Sequence, residues 1–443
     1  MNDLAIRNVM FLNENDELKF GNVFIKDGLI SEIQTDDNWH KKIESKETYE
    51  GKKNFLLPGI IDPHVHFDLD LGKISSLDDF YSGSVAAAYG GVTTFIDFLE
   101  PVSNAKDLET AFYKRLEQAK DSVIDYKFHA TVMNPKGNVL EIVLKMEELG
   151  IKSVKLFTTY SDSDRRTYDQ EIIEFLELSK EKGFLVLAHI ENDEMILPSE
   201  DHDYSYLPIA RSTESETSEA LKLAEFNKRF GGNLYMVHLS SGKTLTALKM
   251  LYGDILNKSF FVESCPHYFV FNSDVWNKEN VYLFSMAPPL RTKKEQELLH
   301  TLFDDVYTIG TDHCSFDKED KKNKMLSKMP LGIGGIEHSF DVMFERFGLD
   351  IVPKMTENVA KIHHLYPQKG VLEIGSDADI MIYKLKDGVI TTNHAKSNYS
   401  VYEGLPKKGT VISTISRGRF VVKDGEFIPG KGTYLGGKYE SNN

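Results

Sequence analysis

Between Phe55 and Thr311 the chain repeats one unit, a short apolar stretch followed by a segment with helical periodicity. The apolar stretches are Phe55–Ile61, Val92–Asp97, Phe128–Val132, Ser153–Phe157, Leu185–His189, Asn233–His238, Phe260–Cys265 and Val306–Thr311. Gln170–Lys182 and Glu214–Phe230 show the intervening helical period most clearly. Strands that alternate with helices pack as a parallel sheet covered by helices, and eight such units close into a barrel. The predicted fold class is therefore α/β, a (β/α)8 TIM-type barrel. A doubly wound open sheet is the alternative that the same alternation allows.

The two ends read differently. Leu4–Val9, Val23–Lys26 and Leu29–Gln34 are short strands separated by turn residues, and so are Asp379–Tyr383, Thr410–Ser416 and Arg419–Val422. They predict one small β-sandwich domain built from residues 1–55 and 366–443, around a catalytic barrel of residues 56–365. A chain of 443 residues has room for both.

Net charge of −16 repels phosphate backbones and anionic lipid, so neither nucleic acid nor membrane is expected as a partner. No apolar run reaches ~20 residues, and Met1–Phe20 lacks the apolar core of a signal peptide. Two cysteines, Cys265 and Cys314, make no disulfide framework and suit a reducing cytoplasm.

The functional signal is positional. His64 and His66 follow the first predicted strand, His189 and His238 end the fifth and sixth, and Asp312 follows the eighth. Catalytic groups of such barrels sit at the C-terminal ends of strands, so these residues converge on one mouth. His64 and His66 lie two apart on extended backbone, which turns both imidazoles to one face where they can chelate a metal. Each residue alone has an ordinary explanation: a core histidine, or an aspartate closing a turn.

Lys155 lies inside an apolar strand, Ser153–Phe157, where a charged amine is costly to bury. A buried ion pair or a stem reaching out to solvent are the structural readings. The functional reading is that burial favours the neutral amine. That amine can add carbon dioxide and become a two-oxygen anion able to bridge two cations.

The stretch Pro58-Gly59-Ile60-Ile61-Asp62-Pro63-His64-Val65-His66 resembles the signature of the amidohydrolase superfamily. Several further segments resemble its cyclic amidohydrolase group: Asp78-Asp79-Phe80-Tyr81-Ser82-Gly83, Gly90-Gly91-Val92-Thr93-Thr94, Val154-Lys155-Leu156-Phe157, His189-Ile190-Glu191-Asn192, Val237-His238-Leu239-Ser240-Ser241, Pro288-Pro289-Leu290-Arg291 and Gly310-Thr311-Asp312-His313-Cys314. The resemblance implies two divalent metal ions, usually zinc. His64, His66 and Asp312 would hold one, His189 and His238 the other, and N6-carboxylated Lys155 would bridge them. It implies ring opening of a small cyclic amide or ureide by a hydroxide shared between the metals. Asp312 would shuttle the proton and Tyr160 would stabilise the oxyanion. A homo-oligomer, commonly a tetramer, is implied as well.

Within the group, the arginine that dihydroorotases carry just after His-x-His is replaced here by Phe67 and Asp68. The Asp-Asp-Phe-Tyr-Ser-Gly and His-Ile-Glu-Asn segments resemble hydantoinases and dihydropyrimidinases, so hydantoin or a 5,6-dihydropyrimidine is the expected ring. Two substrate-recognition positions depart from that pattern, with Ala287 for serine and Leu331 for asparagine. Cys265-Pro266-His267-Tyr268 looks more like allantoinase or dihydroorotase, which keeps such a ureidohydrolase as the alternative. Phe67, Phe98 and Tyr160, on loops after strands one, two and four, are expected to wall the substrate pocket. A mononuclear deaminase is disfavoured by Lys155 and by the neutral Leu239-Ser240-Ser241. A non-enzymatic scaffold is disfavoured because all six ligand positions are filled.

Overall fold

The computed structural model describes residues 1–13, 17–35, 43–72, 74–135, 138–199, 202–277, 279–322 and 324–436. Eight parallel strands run Ile60–Val65, Val92–Phe98, Asp125–Thr131, Ser153–Phe157, Leu185–His189, Asn233–Met236, Phe260–Ser264 and Thr308–Ile309, each paired with the next in sequence. The ring closes where Val65 bridges His313 and the His66 amide donates to the His313 carbonyl at 2.8 Å. The open-sheet alternative is thereby excluded.

Helices Phe80–Tyr89, Ala105–Gln118, Val139–Glu148, Asp169–Lys182, Thr213–Phe230, Gly242–Tyr252, Lys293–Thr301 and Ser339–Phe347 follow the strands in turn. The two helices read most clearly from the sequence each begin one residue earlier than expected. Strands such as Val92–Phe98 are buried along their whole length, as a sheet covered on both faces requires.

The strand expected over Phe55–Ile61 is two strands. Phe55–Pro58 pairs with Ile380–Tyr383 in the terminal sheet, whereas Ile60–Val65 enters the barrel. Gly59 is the switch between them, and a Cβ there would come within 2.2 Å of the Thr93 hydroxyl, so only glycine lets the chain pass. His64 consequently lies within the first barrel strand rather than after it.

The terminal sheet has nine strands: Asn2–Leu12, Leu18–Lys26, Leu29–Thr35, Ser45–Glu50, Phe55–Pro58, Ile380–Val389, Pro406–Ser416, Arg419–Lys423 and Glu426–Phe427. Its apolar core, including Ile6, Val23, Leu56, Ile380 and Ile415, is separate from the main barrel core. No helix among the described residues is long and apolar enough to cross a membrane.

Candidate metal centre

The strand ends bring the candidate ligands into one cluster. Asp312, three residues past the last strand, places Oδ1 3.2 Å from His64 Nε2 and 3.1 Å from His66 Nε2. One potential ligand atom from each of the three residues falls within 4.8 Å of the others. The His238 ring lies 5.5 Å from that of His64 and 4.6 Å from that of His189, so the four imidazoles form a connected chain. His238 and Asp312 adopt left-handed backbone conformations, with φ of 42° and 51°, and Tyr160 does the same at 71°. Non-glycine residues hold such angles only where the surroundings impose them, which is common at functional sites.

Lys155 is 3% exposed, with Nζ 5.2 Å from the centre of the Phe98 ring. The same ring packs 4.8 Å from His66 and 4.9 Å from His64, so Phe98 joins the lysine to the histidines. No carboxylate among the described residues pairs with Lys155, which sets aside the buried ion pair expected of a structural lysine. Burial brings its amine down to about 8, against the opposing fields of Asp312, Glu263 and Cys265. Burial also lowers His66, His189 and His238, leaving neutral imidazoles with free lone pairs. Burial raises the Asp312 carboxyl, but its neighbours His64, His66, which hydrogen-bonds to it, and His238 bring it below the usual carboxylate range.

This donor set fits a divalent metal. His64 Nε2, which faces Asp312, is buried without a hydrogen-bond partner, which is costly unless something else occupies the lone pair. Neutral imidazoles with a carboxylate are ligands suited to zinc and its neighbours.

Several supporting residues escaped the sequence reading. Glu263 accepts from His64 Nδ1 at 2.8 Å, from the Tyr235 hydroxyl at 2.7 Å and from the His238 amide at 3.0 Å, fixing the tautomer of one histidine and the backbone of another. Glu191 pairs with His189 Nε2 at 2.6 Å and with Arg211. Asp62 accepts from the Thr311 hydroxyl at 2.5 Å and the His64 amide at 3.1 Å, tying the first strand to the turn that presents Asp312. Glu263 could have been found, since it is a carboxylate in an apolar strand, the same anomaly that marks Lys155.

Beside the cluster lies a cavity of about 290 Å³ whose wall includes Tyr160, Ile196, Leu207, Arg211, Leu326 and Leu331. The Tyr160 ring stands 5.2 Å from His189 and under the Arg211 guanidinium at 4.7 Å, so it faces both cluster and cavity. The structure thus brings Tyr160 and Leu331 together. Ala287 is half-buried and does not line this cavity.

Phe67 requires a correction. It is fully buried between the barrel and helix Phe80–Tyr89, edge-on to Phe80 and Phe95, and a Cβ on Gly83 would strike its ring. It is a core residue and is absent from the cavity lining. Phe98 supports the histidines and is likewise absent from the cavity lining.

Residues 55–421 match the amidohydrolase family. A D-hydantoinase of Geobacillus stearothermophilus is 33% identical to the chain, over 93% of the chain and 92% of that protein. A solved D-hydantoinase superposes with a TM-score of 0.91 at 31% identity, covering 98% of both chains. A dihydropyrimidinase from Brevibacillus agri superposes at 0.90 with 29% identity, again over 98% of both.

Proposed function

The chain belongs to the amidohydrolase family, and on that basis we propose that it is a hydrolase opening a cyclic amide, hydantoin or a 5,6-dihydropyrimidine, with two divalent metal ions. The observation that carries this reading is the largely buried cluster of four imidazoles, one carboxylate and one unpaired lysine at the C-terminal mouth of the barrel. His64, His66 and Asp312 would hold one ion and His189 and His238 the other, with Lys155, as its N6-carboxylate, supplying a further anionic ligand. Carboxylation suits a buried amine that forms no ion pair among the described residues. Zinc matches the ligand types, and the coupling of Glu263 and Glu191 to ligating histidines is the usual second layer around such an ion.

When bound, the two ions supply an activated water and polarise the ring carbonyl. The chain's own groups then direct the reaction. Asp312, held ionised, takes the proton of the attacking water and returns it to the departing ring nitrogen. Burial raises the Tyr160 phenol, so its hydroxyl remains a donor for the carbonyl oxygen as negative charge develops there. Arg211, locked to Glu191, holds the Tyr160 ring from above. Leu331 gives the cavity an apolar wall suited to a hydrocarbon ring substituent. The polar ureido arm of allantoin suits that wall less well, so an allantoinase-like activity is the lesser reading.

The similarity to hydantoinases extends the proposal to a homo-oligomer, a tetramer. Two buried free thiols, Cys265 and Cys314, suit a cytoplasmic location.

Zinc-loaded protein assayed with hydantoin, 5-substituted hydantoins, dihydrouracil, allantoin and dihydroorotate tests the proposal. Turnover of the first three with two metals per chain supports it. Turnover confined to the last two, or none at all, refutes it.

A further inference from the structure

Lys321 is buried, lies outside the metal cluster and has no role in the chemistry above. It ends the short helix Lys318–Lys321 and is 0% exposed. Its Nζ donates to the Ser285 carbonyl at 2.9 Å, to the Gly332 carbonyl, and more weakly to the Leu283 carbonyl at 3.4 Å. All three acceptors are main-chain oxygens, from two segments far apart in sequence.

One of those segments borders the cavity beside the cluster, and the other packs directly against it. Gly332 follows Leu331, which shares the cavity wall with Tyr160, and Ser285 lies two residues before Ala287. They also touch directly, because the Gly332 amide donates to the Ser285 carbonyl at 3.1 Å. On its other flank the Leu331 segment is pinned to the turn after the last strand by the Cys314 amide, which donates to Ile333 at 2.9 Å. Gly332 sits so close to Cys314 that a Cβ would come within 2.8 Å of the Cys314 Cβ. The segment is therefore wedged, with Cys314 on one side and the Ser285 strand of chain on the other.

Burial pushes the Lys321 amine down to about 7. The three carbonyl dipoles act in the opposite sense, and a geometry with three carbonyl acceptors around the amine is that of an ammonium. A buried ammonium tolerates its loss of water only while those oxygens stay in place. The requirement is mutual, so the spacing of the two segments is set by the lysine between them.

We propose that Lys321 is a positioning residue for substrate recognition, holding the 283–287 and 331–332 segments at the separation that the cyclic amide needs. This rests on the cyclic-amide reading given above. It separates affinity from chemistry: the metal ligands control turnover, and Lys321 controls how well the ring is held.

The test uses full-length zinc-loaded enzyme with hydantoin and dihydrouracil, and the variants Lys321→Gln and Lys321→Met. Gln keeps two donors on a slightly shorter arm, and Met keeps the bulk and loses all three. KM should rise roughly threefold for Gln and tenfold or more for Met, with kcat and metal content within about twofold of wild type. Hydrogen exchange should quicken in the 283–287 and 331–333 segments and stay unchanged at Ser153–Phe157. Unaltered KM in a folded variant overturns the proposal. So does a joint loss of kcat, bound metal and protection at Ser153–Phe157, which would make Lys321 a general packing residue. If the Met variant does not fold, the Gln variant decides alone. Wild-type enzyme that opens no cyclic amide refutes the functional reading before any variant is measured, and this inference falls with it.

Discussion

Lys155 and Lys369 are nearly equally buried, at 3% and 2% exposure, and their surroundings are opposite. Lys369 lies among three carboxylates, 2.9 Å from Asp125, 2.9 Å from Asp377 and 2.6 Å from Asp379, and Arg417 adds a second cation 3.1 Å from Asp125. Burial opposes its charge, but Asp379, Asp125 and Asp377 outweigh that effect and hold the amine well above the usual lysine range. Lys155 faces imidazoles and an aromatic ring, and burial carries it the other way, to about 8. The first arrangement is a bolt. Asp125 opens the third barrel strand, Asp377 and Asp379 lead into the terminal sheet, and Lys369 fastens them together. The second leaves an amine nucleophilic. Burial of a lysine therefore says little until its counter-charges are named, and among the described residues no carboxylate forms an ion pair with Lys155, which is what distinguishes it from Lys369.

The contrast can be broken most sharply at Lys155. Lys155→Ala should lower kcat/KM for hydantoin by roughly 10⁴-fold or more and reduce bound zinc below two per chain, while the melting curve stays close to wild type. A folded, fully active variant would erase the distinction. Lys369→Met should do the reverse. Three buried carboxylates without their cation cost about 3–5 kcal/mol, read as an early denaturant midpoint, yet turnover per folded molecule should stay within about twofold. Loss of turnover in protein that remains folded would show that the bolt also serves the chemistry.

Glu263→Gln sharpens the picture of the site itself. A neutral amide cannot hold His64 and the His238 amide as the carboxylate does, and zinc affinity should fall about 10–100-fold by competition with a chelator. Unchanged affinity would reduce Glu263 to packing.

The last prediction concerns pH. The lowered value of Lys155 means that the neutral, CO2-reactive amine gains population as pH rises toward about 8. At constant dissolved CO2, carboxylation of metal-free protein should accelerate about tenfold per pH unit below that point and level off above it. A rate still climbing steeply at pH ~10 would mean that the amine retains its ordinary basicity.

Much of this was legible in the sequence because it is periodic or anomalous. Eight apolar stretches alternating with helical segments define the barrel, and Asp312, His189 and His238 are found by their positions at strand ends. Lys155 was found because a charge does not belong in Ser153–Phe157. What escaped lacks such a signature. The division at Gly59 depends on how close Thr93 comes from the neighbouring strand. Phe67 looks like a loop aromatic until Gly83 makes room for it in the core. Lys369 lies in a polar stretch where a lysine is unremarkable, and its three aspartates are assembled by the fold. Lys321 is hidden among the charges of Asp317–Lys322, and its acceptors are main-chain atoms that no side-chain pattern reveals.

The central claim, that Lys155 carries CO2 and bridges two cations, is tested most directly by ¹³C NMR of protein reconstituted with zinc and ¹³C-bicarbonate. A carbamate resonance that appears with the second zinc equivalent and is missing in Lys155→Ala is the predicted result. Fully active enzyme with two zinc ions and no carbamate signal would contradict the account.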